Sequence, residues 1–568
     1  MFSLLGLLGF RKKIFFSLLI ISSIFASLLE VLGLGLLIPI VSSLFDSTFY
    51  LKFNEYSLKS GFPELTNESF LFLCIALLPI IFILKNLFLF IFHKIEANLI
   101  YKTLREFSKK IYKIFLFQNY NFYINENSSN FINKLGSEFN LLHNYLIASV
   151  SFLTETIILT SLIFFLLFIA FEEIAIIFII ILISIFIFYL IFYKKIKNFG
   201  ALRKKFDLRK TNLILETLKG IKEIKIYKRE EIFENDFNNN NELIYDFSKK
   251  YYVLQKIPKL FFEGVSILTL SIFIYILLSN NESSEIIIKI TVVTGAIIRI
   301  LPSLNKVINA FNIKKYSLPA VNDISKFLKR LKIKKMNSYK GDVKVFKDKI
   351  LIKKVKFAHR NKNESFQIFE DLNLTIKKGE KISIMGHSGS GKSTLIDLIL
   401  GFLKPDKGKL TVDNINVMNY YSNNIISYCP QSIHIFNTSI EKNISLESKI
   451  EKIDINKISK IKKICCIDTF FSKKKNDQKF FGEGGSKISG GQKQRIGIAR
   501  ALYFNPKILI LDESLNAIDN KTGKKIFQNI VKSYPKLTII LVTHSKMLAS
   551  LSEKIYTLSN KKLRLISK

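Results

Sequence analysis

The sequence predicts a chain of two parts: an α-helical membrane domain with six transmembrane helices, followed by an α/β domain with a P-loop. Six apolar stretches fill the first half of the 568-residue chain, and each reaches the ~20 residues with which an α-helix crosses a bilayer. From about residue 340 the pattern changes to short alternating strands and helices, which is typical of an α/β domain. These observations assign residues 1–315 to the membrane domain, 316–340 to a linker and 341–568 to the α/β domain.

The apolar stretches also predict the orientation of the chain in the membrane. They lie at residues 14–44, 69–98, 146–170, 174–193, 258–279 and 286–307, and the first is too long for a signal peptide. Lys and Arg are concentrated after the second and fourth stretches. The positive-inside rule therefore predicts a multi-pass protein of the inner (plasma) membrane, with both termini, both long loops and the α/β domain in the cytoplasm. We expect the two long loops, of about 45 and 60 residues, to be helical extensions of the spans.

Composition argues against a nucleic-acid-binding protein and against a protein built around cysteine-ligated metals or disulfides. The net charge of +39 is typical of nucleic-acid binding, but much of the positive charge flanks apolar segments, so we expect no nucleic-acid partner. The 4 cysteines show no metal-ligand spacing, and nothing in their pattern indicates a disulfide framework.

The segment from Gly386 to Thr394 has the spacing of a P-loop, between an apolar run that predicts a strand and a run that predicts a helix. Its glycines let backbone N–H groups point at phosphate oxygens, Lys392 reaches the β- and γ-phosphates, and the Ser393 hydroxyl holds Mg²⁺. The sequence therefore predicts a site for ATP and Mg²⁺. The nucleotide-binding residues of this loop are Gly386, His387, Ser388, Gly389, Ser390, Gly391, Lys392, Ser393 and Thr394.

Further motifs follow in order along the same domain. The apolar run that begins at Ile508 ends in Asp512 and Glu513. Asp512 is a candidate for holding Mg²⁺, and Glu513 is a candidate for the general base that orients the attacking water. Ser489, Gly490, Gly491 and Gln492 open a helix, whose N-terminus is an anion site. Gln431 and His544 are polar residues beside apolar strands, where each alone is more often structural.

With these motifs in this order, the chain resembles the ATP-binding cassette (ABC) family over essentially its whole length, as a half-transporter of the exporter type. The resemblance implies a homodimer in which the Ser489–Gln492 signature of one cassette closes over ATP on the P-loop of the other. It implies catalytic roles for Glu513, His544, Lys392 and Gln431, with Gln431 also near Mg²⁺. His359 stands where the family usually has the tyrosine that stacks on adenine, and Asn516 replaces a serine.

Ionisable residues inside the predicted spans are candidates for substrate contact, because charge is costly in a bilayer. Lys85, Lys259 and Arg299 lie on three different spans and predict a cavity for an anionic substrate. The alternative is internal ion pairing, for which Glu30, Glu155 and Glu263 are the available carboxylates.

A narrower resemblance concerns the substrate. Lys85-Asn86, Ile257-Pro-Lys259 and Arg299 with Leu301-Pro-Ser303 are similar to positions in the bacterial flippases that carry lipid-linked oligosaccharides for protein N-glycosylation. That resemblance implies ATP-driven transfer of a polyprenyl-pyrophosphate-linked oligosaccharide from the cytoplasmic to the outer leaflet. The alternatives are an exporter of drugs or other lipids, such as lipid A-like molecules, and a membrane-bound ABC ATPase that acts as a regulator or channel.

Overall fold

The computed structural model describes residues 10–45, 66–169, 171–279, 283–330, 346–360, 365–417, 425–468 and 481–567, with isolated positions between 50 and 59. The chain divides into two compact units. The first comprises residues 1–118 and 123–333, and the second comprises 119–122 and 334–568. Most of the loop that follows the first predicted span, residues 45–64, lies outside the described residues.

The part before the α/β domain is helical throughout the described residues. Its helices are α1 (Phe10–Gly35), α2 (Leu37–Phe45), α3 (Asn67–Leu116), α4 (Tyr120–Asn125), α5 (Ser128–Leu135), α6 (Ser137–Ile169), α7 (Phe171–Lys219), α8 (Ile221–Ile226), α9 (Glu230–Ser279) and α10 (Ser283–Arg330). Four of them, α3, α7, α9 and α10, have 48 to 50 residues, so at about 1.5 Å per residue each is longer than a bilayer is thick. The cores of this unit form where α6 packs along α10 and where α9 packs along α7.

Five helical segments of the described residues are long and apolar enough to cross a membrane. They are Ser17–Val41, Asn67–Leu116, Ser128–Phe168, Phe178–Lys219 and Glu230–Tyr275. The sixth predicted span, 286–307, lies within the single helix α10 but is not among these five.

The first predicted span, 14–44, is two helices rather than one, because the chain breaks at Leu36 between α1 and α2. Two sequence features account for the break. Gly35 lowers helix propensity, and Pro39 has no N–H to donate to the carbonyl four residues earlier.

The α/β domain contains two sheets. Its strands are β1 (Lys349–Arg360), β2 (Ser365–Lys377), β3 (Lys381–Met385), β4 (Lys407–Val412), β5 (Ile415–Asn416), β6 (Ile426–Cys429), β7 (Ile508–Asp512), β8 (Thr538–Val542), β9 (Lys554–Ser559) and β10 (Lys562–Ser567). Its helices are α11 (Lys392–Ile399), α12 (Ile440–Ser445), α13 (Ile455–Ile464), α14 (Gly490–Tyr503), α15 (Asn520–Ser533) and α16 (Lys546–Ala549), with short 3₁₀ turns at Ile450–Lys452 and Glu483–Gly485.

One sheet has four antiparallel strands in the order β2-β1-β4-β5, and the other has six in the order β10-β9-β3-β8-β7-β6. In the six-stranded sheet, β9, β3, β8, β7 and β6 are parallel, and β10 pairs antiparallel with β9. Strands β7 and β8 are buried along their whole length, which explains their continuous apolar sequence. The parallel strands therefore end at one edge, where α/β sheets commonly bind their ligands.

Candidate functional site

The P-loop occupies the turn between β3 and α11. Gly391 has φ +103°, and a Cβ there would lie 2.8 Å from Ile368 Cγ2, so only glycine fits without a shift. His387, Ser388 and Gly389 are exposed. The loop is therefore open to a ligand on the side where its backbone turns.

Lys392 is the first residue of α11, and its side chain folds back over the loop. Its Nζ donates to the carbonyl oxygens of Gly386 at 2.9 Å and His387 at 3.0 Å. Burial lowers the pKa of Lys392, and the carboxylates of Glu513 and Asp512 oppose that shift. The predicted phosphate-binding lysine thus lies within electrostatic reach of both predicted carboxylates.

Glu513 contacts two other predicted catalytic residues, Gln431 and His544. Its Oε2 accepts a hydrogen bond from Gln431 Nε2 at 2.8 Å, and its Oε1 lies 2.9 Å from His544 Nε2. These three residues follow the neighbouring strands β6, β7 and β8, which explains why positions 82 residues apart meet. The Glu513 side chain is 16% exposed, so the carboxylate lies at the opening of the site.

Asp512 is the last residue of β7 and is buried. Its Oδ2 accepts a hydrogen bond from Tyr428 Oη at 3.0 Å. Burial raises the pKa of Asp512, while the Tyr428 hydrogen bond opposes the shift. Of the other predicted metal ligands, Ser393 is exposed in the first turn of α11.

His359, the predicted adenine-stacking residue, lies near the end of β1 and is exposed. Its Nε2 is 3.4 Å from Thr394 Oγ1, and its ring meets the Phe357 ring edge-on at 5.0 Å between centroids. The structure thus brings this imidazole to the first turn of the P-loop helix.

The signature residues form a helix start that is open to solvent. Ser489 and Gln492 make a reciprocal capping box: the Ser489 hydroxyl accepts from the Gln492 N–H at 3.3 Å, and Gln492 Oε1 accepts from the Ser489 N–H at 3.0 Å. Ser489 and Gly490 are exposed, and Gly491 is half-buried. Within the described residues, Ser489 to Gln492 make no hydrogen bond to the P-loop of the same chain.

Two residues that sequence reasoning missed hold this site together. Gln494 is buried on α14, donates to the Gln431 backbone carbonyl and lies beside Cys429. Tyr428 fixes Asp512, as described above. Helical spacing was the available signal for Gln494: it lies three, four and seven residues before Gly497, Ile498 and Ala501, on the buried face of α14, where a polar group needs a hydrogen-bond partner.

Asn516 and Asp519 lie beyond Glu513. Asn516 Oδ1 accepts from the buried Thr543 hydroxyl at 2.8 Å, so the residue that replaces the family's serine links the ends of β7 and β8. Asp519 caps α15 by accepting from the Thr522 N–H at 2.9 Å.

In the membrane domain, two of the three predicted cavity cations converge on one carboxylate. Lys85 Nζ lies 3.3 Å from Glu30 Oε2, and Arg299 Nε pairs with Glu30 Oε1. The ion-pairing alternative is thus the observed arrangement for both, with Glu30 as the partner. We call Glu30, Lys85 and Arg299 the charged triad; its formal net charge is +1. Lys259 is exposed and makes no ion pair within the described residues.

Comparisons with known proteins agree with this architecture. The family model for the ABC transporter transmembrane region matches residues 14–301, and the family model for the ABC transporter matches residues 369–516. The chain therefore belongs to the ABC transporter family, and its second unit contains an ATP-binding cassette.

Several curated relatives are similar to this chain. An ATP-dependent lipid A-core flippase of Wigglesworthia glossinidia brevipalpis is 29% identical over 371 residues, which are 61% of this chain and 60% of the relative. The same kind of flippase from Pasteurella multocida is 34% identical over 34% of this chain and 33% of its own length. A probable multidrug resistance ABC transporter of Bacillus subtilis is 28% identical over 61% of this chain and 58% of the relative. The aligned regions thus span about one third to three fifths of these relatives.

A solved structure of a bacterial Atm1-family ABC exporter with ATP bound shares the fold. Its TM-score is 0.78 at 16% sequence identity, over 98% of this chain and 95% of that one. The predicted fold class, an exporter-type helical membrane domain with an α/β cassette, is confirmed.

Proposed function

We propose that this protein is an ATP-driven exporter of an amphiphilic anionic lipid and that it works as a homodimer. The observation that carries the proposal is the Gln431–Glu513–His544 cluster at the strand edge that also carries the P-loop. The named relatives favour lipid A-like lipids, which the sequence analysis held as an alternative, over a polyprenyl-pyrophosphate-linked oligosaccharide. The positive-inside pattern of the loops supports an inner-membrane location with the cassette in the cytoplasm.

The geometry suggests a division of work at the nucleotide. Lys392 would exchange its two loop carbonyls for phosphate oxygens, and the exposed P-loop backbone would bind the remaining phosphate charge. Glu513 would accept a proton from the attacking water, while Gln431 and His544 hold its two oxygens in place. His544 would add a hydrogen bond where negative charge develops.

The donor set fits magnesium. Ser393 offers a hydroxyl, Gln431 an amide oxygen and Asp512 a carboxylate, and Mg²⁺ prefers such oxygen ligands together with nucleotide phosphates. The bound ion would neutralise phosphate charge. Because Ser489 is exposed and makes no hydrogen bond to its own P-loop within the described residues, a second copy of the chain is the natural partner for the signature.

The substrate preference is tested by transport in proteoliposomes. The purified full-length protein would be reconstituted with a labelled lipid A or with a labelled polyprenyl-pyrophosphate oligosaccharide, with and without ATP. We expect ATP-dependent movement of the lipid A. Movement of only the oligosaccharide would reverse the preference, and movement of neither lipid, beside normal ATP hydrolysis, would refute both substrate assignments.

The first variant prediction concerns the general base. We expect Glu513→Gln to lower ATP turnover by at least ~100-fold, the size of a general-base contribution, while ATP binding is retained. The measurements are phosphate release and binding of a fluorescent ATP analogue, and Glu370→Gln, on the exposed part of the cassette, is the control. Turnover close to wild type in Glu513→Gln would refute the role assigned to Glu513.

A further inference from the structure

An exposed phenylalanine lies directly across the β1–β2 ladder from His359, the predicted adenine-stacking residue. The register pairs His359 with Phe366. Directly opposite side chains of an antiparallel pair lie on the same face of the sheet, with Cβ atoms about 4.5–5.5 Å apart. Phe366 is 73% exposed, and His359 is exposed as well. An imidazole and a phenyl side chain thus lie next to one another at the end of this ladder.

The face that carries these two rings is buried two residues earlier along β1. Phe357 pairs with Phe369, and the two side chains are 7% and 0% exposed in the core of the cassette. His359 follows Phe357 by two residues and therefore shares its face, and the two rings meet edge-on. The aromatic surface of the core thus continues into space that is open to solvent, where a flat ligand can pack on it.

A β-bulge beside Phe366 brings β2 onto the P-loop. The register shifts after Phe357 and leaves Ile368 as an extra residue of β2. A Cβ on Gly391 would lie 2.8 Å from Ile368 Cγ2, so β2 lies directly against the P-loop backbone. Phe366 is two residues from this contact, roughly 7 Å along the strand. On the other strand, His359 reaches the first turn of the P-loop helix.

The chemistry of a nucleotide indicates which of its groups would lie on these rings. When the P-loop binds the phosphates, the ribose separates the base from them. A purine has two fused rings, whereas His359 offers one five-membered ring, so the imidazole alone covers only part of the base. A phenyl ring beside the imidazole enlarges the surface. Aromatic side chains stack on the π-face of a base, and this contact does not involve the phosphate charge.

Exposure alone does not distinguish Phe366, because single apolar side chains are common on protein surfaces. Ile455, the first residue of α13, is 63% exposed, and its helix packs against α14 and α15. What distinguishes Phe366 is its position, across the ladder from His359 and two residues from the contact with the P-loop. Ile455 is therefore a matched control for the loss of an exposed apolar side chain from the cassette.

We propose that Phe366 is a base-binding residue of the ATP site and that it forms, together with His359, a two-ring platform on which the adenine stacks. The proposal rests on the proposed function as an ATP-driven exporter and adds a residue that the sequence motifs do not indicate. In this arrangement the P-loop binds the phosphates, and Phe366 contacts only the base. Loss of the Phe366 ring should therefore weaken the binding of ATP but not of a triphosphate that has no base.

The test compares two ligands, ATP and inorganic triphosphate, on the full-length protein in nanodiscs with Mg²⁺. All proteins carry Glu513→Gln, so that ATP is not consumed. Equilibrium binding of both ligands is measured for Phe366→Ala and for the control Ile455→Ala. Because the chain contains no tryptophan, Phe366→Trp supplies a single tryptophan whose fluorescence reports a stacked base. Ile455→Trp is the control for that measurement.

We expect Phe366→Ala to weaken ATP binding about tenfold and to leave triphosphate binding unchanged, while Ile455→Ala behaves as the parent protein. ATP, but not triphosphate, should quench the tryptophan of Phe366→Trp, and neither ligand should affect that of Ile455→Trp. Unchanged ATP binding in Phe366→Ala, an equal loss for both ligands, or no quenching in Phe366→Trp would overturn the base platform while ATP-driven export stands. A parent protein that binds neither ligand would overturn both proposals.

Discussion

Glu513 adopts a backbone conformation that residues other than glycine rarely take. Its φ is +50° directly after the buried strand β7, and left-handed geometry of this kind carries a cost for a residue with a Cβ. The backbone N–H of Glu513 donates to the Val542 carbonyl at 2.8 Å, and Gln431 and His544 hold its side chain. The turn thereby directs the carboxylate out of the strand and toward the site.

A second prediction concerns Asp397, on the P-loop helix. Burial, and then the nearby Asp512 carboxylate, raise its pKa from 3.8 to about 6. The folded state therefore binds a proton at the Asp397 carboxyl more tightly than the unfolded state does. At pH 7 the ionised carboxylate lowers the free energy of unfolding, and this loss is relieved as the pH falls from above 6 toward 4. After a discount for the half-exposed position, that cost is about 1–2 kcal/mol.

We therefore expect Asp397→Asn to raise the free energy of unfolding at pH 7.5 and to raise it by only about a third as much at pH 4.5, which is still above the pKa of the unfolded state. Thermal unfolding of the full-length protein in nucleotide-free buffer with EDTA, at both pH values, is the measurement. Asp371→Asn, in the exposed part of β2, is the matched control. A stabilisation of equal size at both pH values would show that the charge of Asp397 is not its cause.

At the scale of elements, the helix starts of the cassette permit a matched comparison. Ser489 caps α14 and Ser439 caps α12, and each hydroxyl accepts from the N–H three residues on at 3.3 Å. Loss of either cap should lower the free energy of unfolding by about 1 kcal/mol. The two serines differ in function. Only Ser489 belongs to the signature, which we propose contacts ATP bound at the P-loop of a second copy of the chain.

We accordingly expect Ser489→Ala and Ser439→Ala to lower the unfolding midpoint by similar amounts, whereas only Ser489→Ala lowers ATP turnover at saturating ATP, by about tenfold. Unfolding curves and phosphate release on the same preparations give both quantities. An equal loss of turnover in the two variants would mean that Ser489 acts through helix stability alone.

Much at this scale was predictable from periodicity and motif spacing. The apolar run before the P-loop is β3, and the run before Asp512 is buried β7, because a fully buried parallel strand has a continuously apolar sequence. The contacts of Gln494 and Tyr428 were not predictable in the same way. Periodicity indicates which face is buried, but pairing across 63 or 84 residues depends on the order of strands in the sheet.

Across the whole membrane domain, charge placement was predictable and charge pairing was not. Hydropathy located Lys85 and Arg299 inside spans, but it left open whether they meet a substrate or a carboxylate. The observed pairing with Glu30 depends on how α1, α3 and α10 pack, which no local pattern contains. The same limit applies to the open groove that residues 144–151 of α6 form with residues 306–313 of α10, because its two sides are about 160 residues apart in the chain.

The charged triad connects the first, second and last predicted spans, so its energetics concern the whole membrane domain. The side chains of Glu30 and Lys85 are 6% and 10% exposed, and removing one partner of a buried ion pair costs about 3–5 kcal/mol. Glu30→Gln leaves two cations without their carboxylate, whereas Lys85→Met leaves Glu30 paired with Arg299. We therefore expect Glu30→Gln to destabilise the protein much more than Lys85→Met does.

A double-mutant cycle with Glu30→Gln and Lys85→Met measures the interaction energy between Glu30 and Lys85. Because Lys85→Met removes one of the cations that Glu30→Gln leaves unpaired, the double variant should be more stable than the sum of the single effects predicts, by about 1–3 kcal/mol. The measurement is unfolding of the full-length protein in one detergent. Lys259→Met is the control, because Lys259 is exposed and its effect should add to that of Glu30→Gln. Additive effects in the Lys85 cycle as well would mean that Lys85 contributes no net pairing energy and is free to face an anionic substrate.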